Sequence, residues 1–156
     1  MLIGITSDHG GFELKKYILE NAEKLEELTG KQIIFKDLGT DNSESSDYPD
    51  FAERIASEYN SGHIELGILI CKSGHGMCIA VNKFRNIRAS LANTAESIIN
   101  GKRDDDINML CLSSNDVDGK HSLDIIAAFI VTEFLDEGNY KRRKDKVLEI
   151  EERNFK

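Results

Sequence analysis

Residues 67–83, GILICKSGHGMCIAVNK, constrain the fold more than any other stretch of the chain. A short apolar run, Gly67-Ile68-Leu69-Ile70, stops at Cys71. The turn Lys72-Ser73-Gly74-His75-Gly76 follows, and apolar spacing resumes at Met77. Read physically, this is a buried strand, a thiol at its carboxyl tip, a glycine loop and the start of a helix. Such a junction gathers backbone N–H donors and a positive helix end around one reactive side chain, which suits an anionic substrate or intermediate.

The same grammar repeats along the chain. The apolar run at residues 2–5 ends at Ser7-Asp8-His9-Gly10-Gly11. Phe12, Leu14, Tyr17, Ile18, Ala22, Leu25 and Leu28 then keep helical spacing until Gly30. Residues 32–35 form a second short run, and the polar residues 41–47 read as a surface loop. Pro49, the only proline, opens a helix through Phe51, Ala52, Ile55 and Ala56. Residues 88–91 and 107–112 supply two further strands. Between them lies a helix over 94–100, stopped by Gly101, and an acidic turn over 102–106. An apolar helix runs from Ser122 to about Leu135, and a charged helical tail covers 141–156.

Five apolar strands alternating with helices predict an α/β, Rossmann-like three-layer fold: a five-stranded parallel sheet with helices on both faces, in one domain over 1–156. Ligands bind such sheets beyond the carboxyl ends of the strands. Three polar segments are therefore expected to converge: Asp8-His9, the Cys71 loop, and the approach to the fifth strand at residues 104–108.

Composition narrows the classes. Twenty Lys and Arg against 28 Asp and Glu give a formal charge of −8, which argues against general nucleic-acid binding. No apolar run approaches the roughly 20 residues of a membrane span, and the amino terminus lacks the pattern of a signal peptide. Three cysteines (Cys71, Cys78, Cys111), an odd number without a secretory signal, fit reduced thiols in the cytoplasm. No CxxC pair or histidine spacing suggests a metal.

Each chemical candidate has an ordinary reading beside it. Cys71 is either a small buried hydrophobe or, before a Gly-x-Gly loop, a base or nucleophile. Ser73-Gly74-His75-Gly76 is either an anion cradle or a tight turn needing positive φ, and His75 alone reads as a loop side chain. Asp8 can be only a helix cap; the neighbouring His9 is more telling, because a cap does not require it. His63 and His121 read as surface residues. Asp104-Asp105-Asp106 is ordinarily a solvated turn, although adjacent carboxylates near a site raise one another's pKa and suit acid–base work. Lys141-Arg142-Arg143-Lys144 is ordinarily a solvated helix face, and also the best local partner for a phosphate.

Several of these residues sit in ordered motifs: Ser7-Asp8-His9-Gly10-Gly11-Phe12-Glu13-Leu14-Lys15, Asp47-Tyr48-Pro49-Asp50, Gly67 to Cys71, Gly74-x-Gly76-Met77 and Ala80-x-Asn82-Lys83. Together, over nearly the whole chain, they resemble the ribose-5-phosphate isomerase B/galactose-6-phosphate isomerase family. The resemblance implies aldose–ketose isomerisation of a sugar phosphate through a cis-enediolate, with no metal or organic cofactor, in homodimers or homotetramers whose sites are shared between subunits. It implies Cys71 as the proton-shuttling base and Ser73 as an assisting hydroxyl. The N–H groups of Lys72, Ser73, Gly74, His75 and Gly76 would serve as the enediolate hole, with Asp8, His9 and Tyr48 in the substrate site. The chain departs from the pattern elsewhere. The family's ring-opening histidine aligns with Asp104 and the following asparagine with Asp105; two phosphate-binding arginines align with Asn115 and Asn139, a nearby histidine aligns with Tyr140, and Arg143 is retained. Asp104 would still serve as an acid–base group with a raised pKa. Ribose 5-phosphate is the default substrate; a hexose 6-phosphate, a short open-chain sugar, or a non-catalytic sugar-binding subunit are the alternatives.

Overall fold

The computed structural model of the chain describes residues 1–155; Lys156, the last residue of the expected tail, lies outside the described residues. Five strands, β1 (Leu2–Ser7), β2 (Ile34–Asp37), β3 (Leu66–Cys71), β4 (Ala89–Leu91) and β5 (Met109–Ser113), form one parallel sheet in the order β2-β1-β3-β5-β4. β3 lies at the centre and is buried along its whole length, as a near-continuous apolar run requires when both sheet faces are covered.

Alternation along the strands divides the core in two. On one face Ile3, Ile5, Ile68, Ile70, Leu110 and Leu112 meet Leu14 and Ile18 of α1 (Phe12–Glu20), Leu25 of α2 (Ala22–Thr29), Ile98 of α5 (Ala95–Asp105) and the apolar side of α6 (Gly119–Val131). On the other, Leu69, Cys71, Met109 and Cys111 meet Phe51, Ala52 and Ile55 of α3 (Tyr48–Asn60) and Met77 and Val81 of α4 (His75–Val81). The period-two pleat thus turns the Cys71 side chain towards α4. The last helix, α7 (Gly138–Asn154), buries no residue.

Element boundaries differ from the sequence reading where side chains intervene. The expected single helix through Leu28 breaks at Asn21, whose side-chain amide donates to Tyr17 O at 2.8 Å and competes with the helical ladder. Gly101 does not stop α5, which continues to Asp105; the expected acidic turn is its last helical turn, closed by Asp106 at φ 54°. The apolar helix starts earlier, where the Asp118 carboxylate caps it by accepting from His121 N–H at 2.8 Å. It ends at Thr132, well before Leu135.

Candidate active site

In this strand order the chain leaves β1 for β2 on one side and reaches β3 on the other, so the crevice lies beyond the carboxyl ends of β1 and β3. Two turns face each other there. Asp8 N–H donates to Ile70 O at 3.2 Å, and the Asp8 carboxylate accepts from Gly11 N–H at 3.1 Å, so Asp8 does cap the short 3-10 turn at His9–Gly11. A Cβ on Gly10 would stand 3.1 Å from the Lys72 Cβ, which places the two turns in direct contact.

Cys71 closes β3, 4% exposed, and its Sγ accepts the Gly74 N–H at 3.1 Å. That bond requires the chain to fold back within three residues, and Gly74 does so at φ 75°, in the left-handed region open to glycine. Gly76 is needed for a different reason: a Cβ there would stand 2.9–3.1 Å from the Tyr48 ring, which lies over the start of α4. Lys72, Ser73 and His75 are exposed around the buried thiol.

The strand end of β5 holds this loop from below. Ser114 N–H donates to Cys71 O at 3.0 Å, and Asn115 N–H donates to Lys72 O at 3.1 Å. Ser113 Oγ lies 3.0 Å from Lys72 O, and Ser114 Oγ donates to Gly10 O at 2.7 Å, tying all three turns together. From the other side, His9 N–H donates to Ser46 Oγ at 3.1 Å, and the His9 Nδ1 lies 3.2 Å from both the Ser46 N and O. Asp8, His9, Tyr48, Cys71, Lys72, Ser73, Gly74, His75, Gly76 and Asn115 therefore share one crevice.

The remaining candidates do not join them. Residues 104–108 were expected at a carboxyl strand end; they lie at the amino end of β5, because α5 runs back across the sheet before β5 begins. Five strand residues of rise, about 16 Å, separate that end from Cys71. Asn139 and Arg143 belong to the first turns of α7, which starts beside the end of α5, where Leu135 N–H donates to Arg103 O at 3.0 Å. Asp104, Asp105, Asn139 and Arg143 thus form a second group at the opposite pole. The electrostatics of Asp104 also differ from the expectation of mutually raised carboxylates. Hydrogen bonds from the Arg103 guanidinium, at 2.7 and 3.2 Å, hold its carboxyl below the usual range.

Several residues that shape the site escaped the sequence reading. Ser46 lay in a polar loop with nothing to mark it as a partner of His9. Lys15 was only a motif letter, yet it is 1% exposed and ion-paired with Asp37. Cys78, on the helix after the glycine loop, is held at about 7 by hydrogen bonding with the Cys111 thiol, against the effect of burial. A lysine on the apolar side of α1 was the one available signal.

Comparison with known proteins addresses the whole chain. The sequence model described as Ribose/Galactose Isomerase matches residues 3–147. Ribose-5-phosphate isomerase B of Escherichia coli is 34% identical over 151 residues, 97% of each chain. The ribose-5-phosphate isomerase B structure from Clostridium thermocellum superposes with a TM-score of 0.87 at 37% identity, covering 98% of this chain and 99% of that one. The enzyme from Mycoplasma genitalium, solved with bound ribulose 5-phosphate, superposes with a TM-score of 0.84 at 36% identity, covering 97% and 96%. The chain belongs to the ribose/galactose isomerase family, as a sugar-phosphate isomerase of the ribose-5-phosphate isomerase B type.

Proposed function

We propose that the chain interconverts ribose 5-phosphate and ribulose 5-phosphate through a cis-enediolate, with Cys71 as the base. The observation that carries this reading is the thiol at the tip of β3, reached by the Gly74 N–H at 3.1 Å and surrounded by the exposed loop of Lys72, Ser73 and His75. The Cys71 thiolate takes the C2 proton of the open-chain aldose; the C–H electrons form the C1=C2 bond, and the negative charge moves to O1. Backbone N–H groups of the loop stabilise that oxygen. The thiol then returns the proton to C1, while Ser73 relays the hydroxyl proton between O1 and O2. A relative solved with ribulose 5-phosphate supports this substrate.

The second group enters by way of a second copy. In a homodimer, Asp104, Asp105, Asn139 and Arg143 of one subunit reach the Cys71 crevice of the other. The unburied α7, with Val147 and Ile150 about half exposed, and the exposed Ile79 on α4 support such an interface. Asp104, kept ionised by Arg103, accepts the anomeric hydroxyl proton during ring opening instead of donating one, as the bond from C1 to the ring oxygen breaks and the ring oxygen takes a proton from water. Arg143 and Lys72 then hold the phosphate where Asn115 and Asn139 offer only neutral amides.

The test is isomerisation of ribose 5-phosphate in deuterium oxide. Wild type incorporates solvent deuterium and Cys71→Ala does not; full exchange by the variant rules out Cys71 as the base. Parallel assays with a hexose 6-phosphate and free ribose define the substrate, and turnover of free ribose alone refutes the phosphate site. Light scattering on the same preparation must show at least a dimer.

A further inference from the structure

We propose that Lys15 is a positioning residue of this site: its buried ammonium, held between the Asp37 carboxylate and the Thr40 carbonyl, sets where residues 39–48 leave the sheet and so places Ser46 against His9 and Tyr48 over Gly76. The inference rests on the crevice proposed above as the isomerase site.

Lys15, in the first turns of α1, is 1% exposed, which is rare for a lysine unless its charge is paired. Its Nζ donates to Asp37 Oδ1 at 2.5 Å and to Thr40 O at 2.8 Å. The same Asp37 oxygen accepts Gly39 N–H at 3.0 Å. Gly39 O in turn accepts Ser7 N–H at 2.8 Å and the Thr6 hydroxyl at 3.0 Å, and Thr40 N–H returns to Ser7 O at 2.8 Å. The ammonium therefore joins Asp37 to Thr40 across a strand extension that backbone bonds hold against Ser7, the residue before Asp8 and His9. Beyond Thr40 the chain runs through the exposed loop at 41–47 and returns to the crevice at Ser46, against His9, immediately before α3 opens at Tyr48.

The choice of a charge needs its own explanation. An unbranched apolar side chain of similar length would fill the space without desolvating an ammonium; replacing a whole buried ion pair in this way is often neutral for stability, and removing one partner is costly only where the charge left behind stays buried. What it would not do is hold the Thr40 carbonyl and the Asp37 carboxylate in one geometry. The opposite anchor is independent: Arg54 Nη1 donates to Leu38 O at 2.7 Å and remains when Lys15 is replaced. The loss is therefore one of placement at residues 39–48. The Cys71 loop is held separately, by β5.

Lys15→Met tests this by amide hydrogen exchange and kinetics on the full chain. Asp37 is 40% exposed at its side chain, so the carboxylate left behind can hydrate and the variant should fold. The His9 and Thr40 amides are expected to exchange at least tenfold faster, while the Gly74 and Ser114 amides keep wild-type rates. With ribose 5-phosphate, KM should rise about tenfold and kcat stay within about twofold, because the binding groups move and the thiol loop does not. Wild-type exchange at His9 and Thr40 overturns the proposal, as does equal acceleration at Gly74. The exchange readout requires no substrate, so it separates failure of this inference from failure of the proposed activity. If Lys15→Met does not fold, Asp37→Asn decides by the same two amides, with unchanged rates again overturning it.

Discussion

Replacing Gly74 by alanine tests whether the Cys71 loop is shaped by glycine stereochemistry or by packing. Gly74 sits at φ 75°, where an L side chain costs about 1–2 kcal/mol. Its new Cβ would also press on Leu91 Cδ1 and stand 3.2 Å from the Leu112 carbonyl group. Leu112 is backbone in β5, paired to Ile70 of the central strand, and cannot retreat, so overpacking adds about 1–3 kcal/mol. The sum, about 2–5 kcal/mol, lowers the melting temperature of a chain this size by about 4–20 °C. Gly62 is the internal control: its φ is 74°, but nothing lies within 4 Å of its Cβ position, so Gly62→Ala carries the conformational term alone. Urea unfolding of both variants should differ by the packing term, about 1–3 kcal/mol. At a temperature where both are folded, Gly62→Ala should isomerise at the wild-type rate, while Gly74→Ala should lose most activity as its N–H leaves Cys71 Sγ. Equal stability costs, or an active Gly74→Ala enzyme, would refute the reasoning.

Three further outcomes are expected. Gly76→Ala should cost about 1 kcal/mol or less, because the Tyr48 ring it meets is 40% exposed and can swing outward; the cost should vanish in a Tyr48→Ala background, read by a double-mutant unfolding cycle. Mass-mapped iodoacetamide labelling of Cys78 should be half-maximal near pH 7, with Cys111 unlabelled in the folded protein; a midpoint near the ordinary thiol value of 9.0 would contradict the Cys111 contact. The Glu58 carboxyl is lowered by its hydrogen bond from Lys36 and then by His63, so its stabilisation is present above 4.5 and lost as pH falls through the depressed folded value. Glu58→Gln should flatten the acid limb of the stability profile there, and an unchanged limb in urea titrations between about pH 3 and pH 6, a range of about three units spanning the carboxylate values, would contradict it.

The chain order of apolar runs and glycine turns was enough to read the parallel sheet, and the buried run before Cys71 was enough to read the thiol loop. These signals are local: an apolar run long enough for one strand, a turn that needs glycine, and a helix that starts after it. The breaks at Asn21 and Thr132, and the passage of α5 through Gly101, were not legible, because each is decided by a side chain meeting a particular carbonyl or neighbour.

Motif order along the chain pointed to the ribose/galactose isomerase family, and glycine after cysteine at that spacing sets a thiol beside a backbone donor where the strand ends. Only the tertiary structure decided which candidates stand together. Sequence adjacency placed residues 104–108 near a strand, but the direction in which α5 crosses the sheet put them at the amino pole, with Asn139 and Arg143. The same is true of Lys15, whose partners lie 22 and 25 residues away and become neighbours because parallel β1 and β2 bring their carboxyl ends side by side above α1.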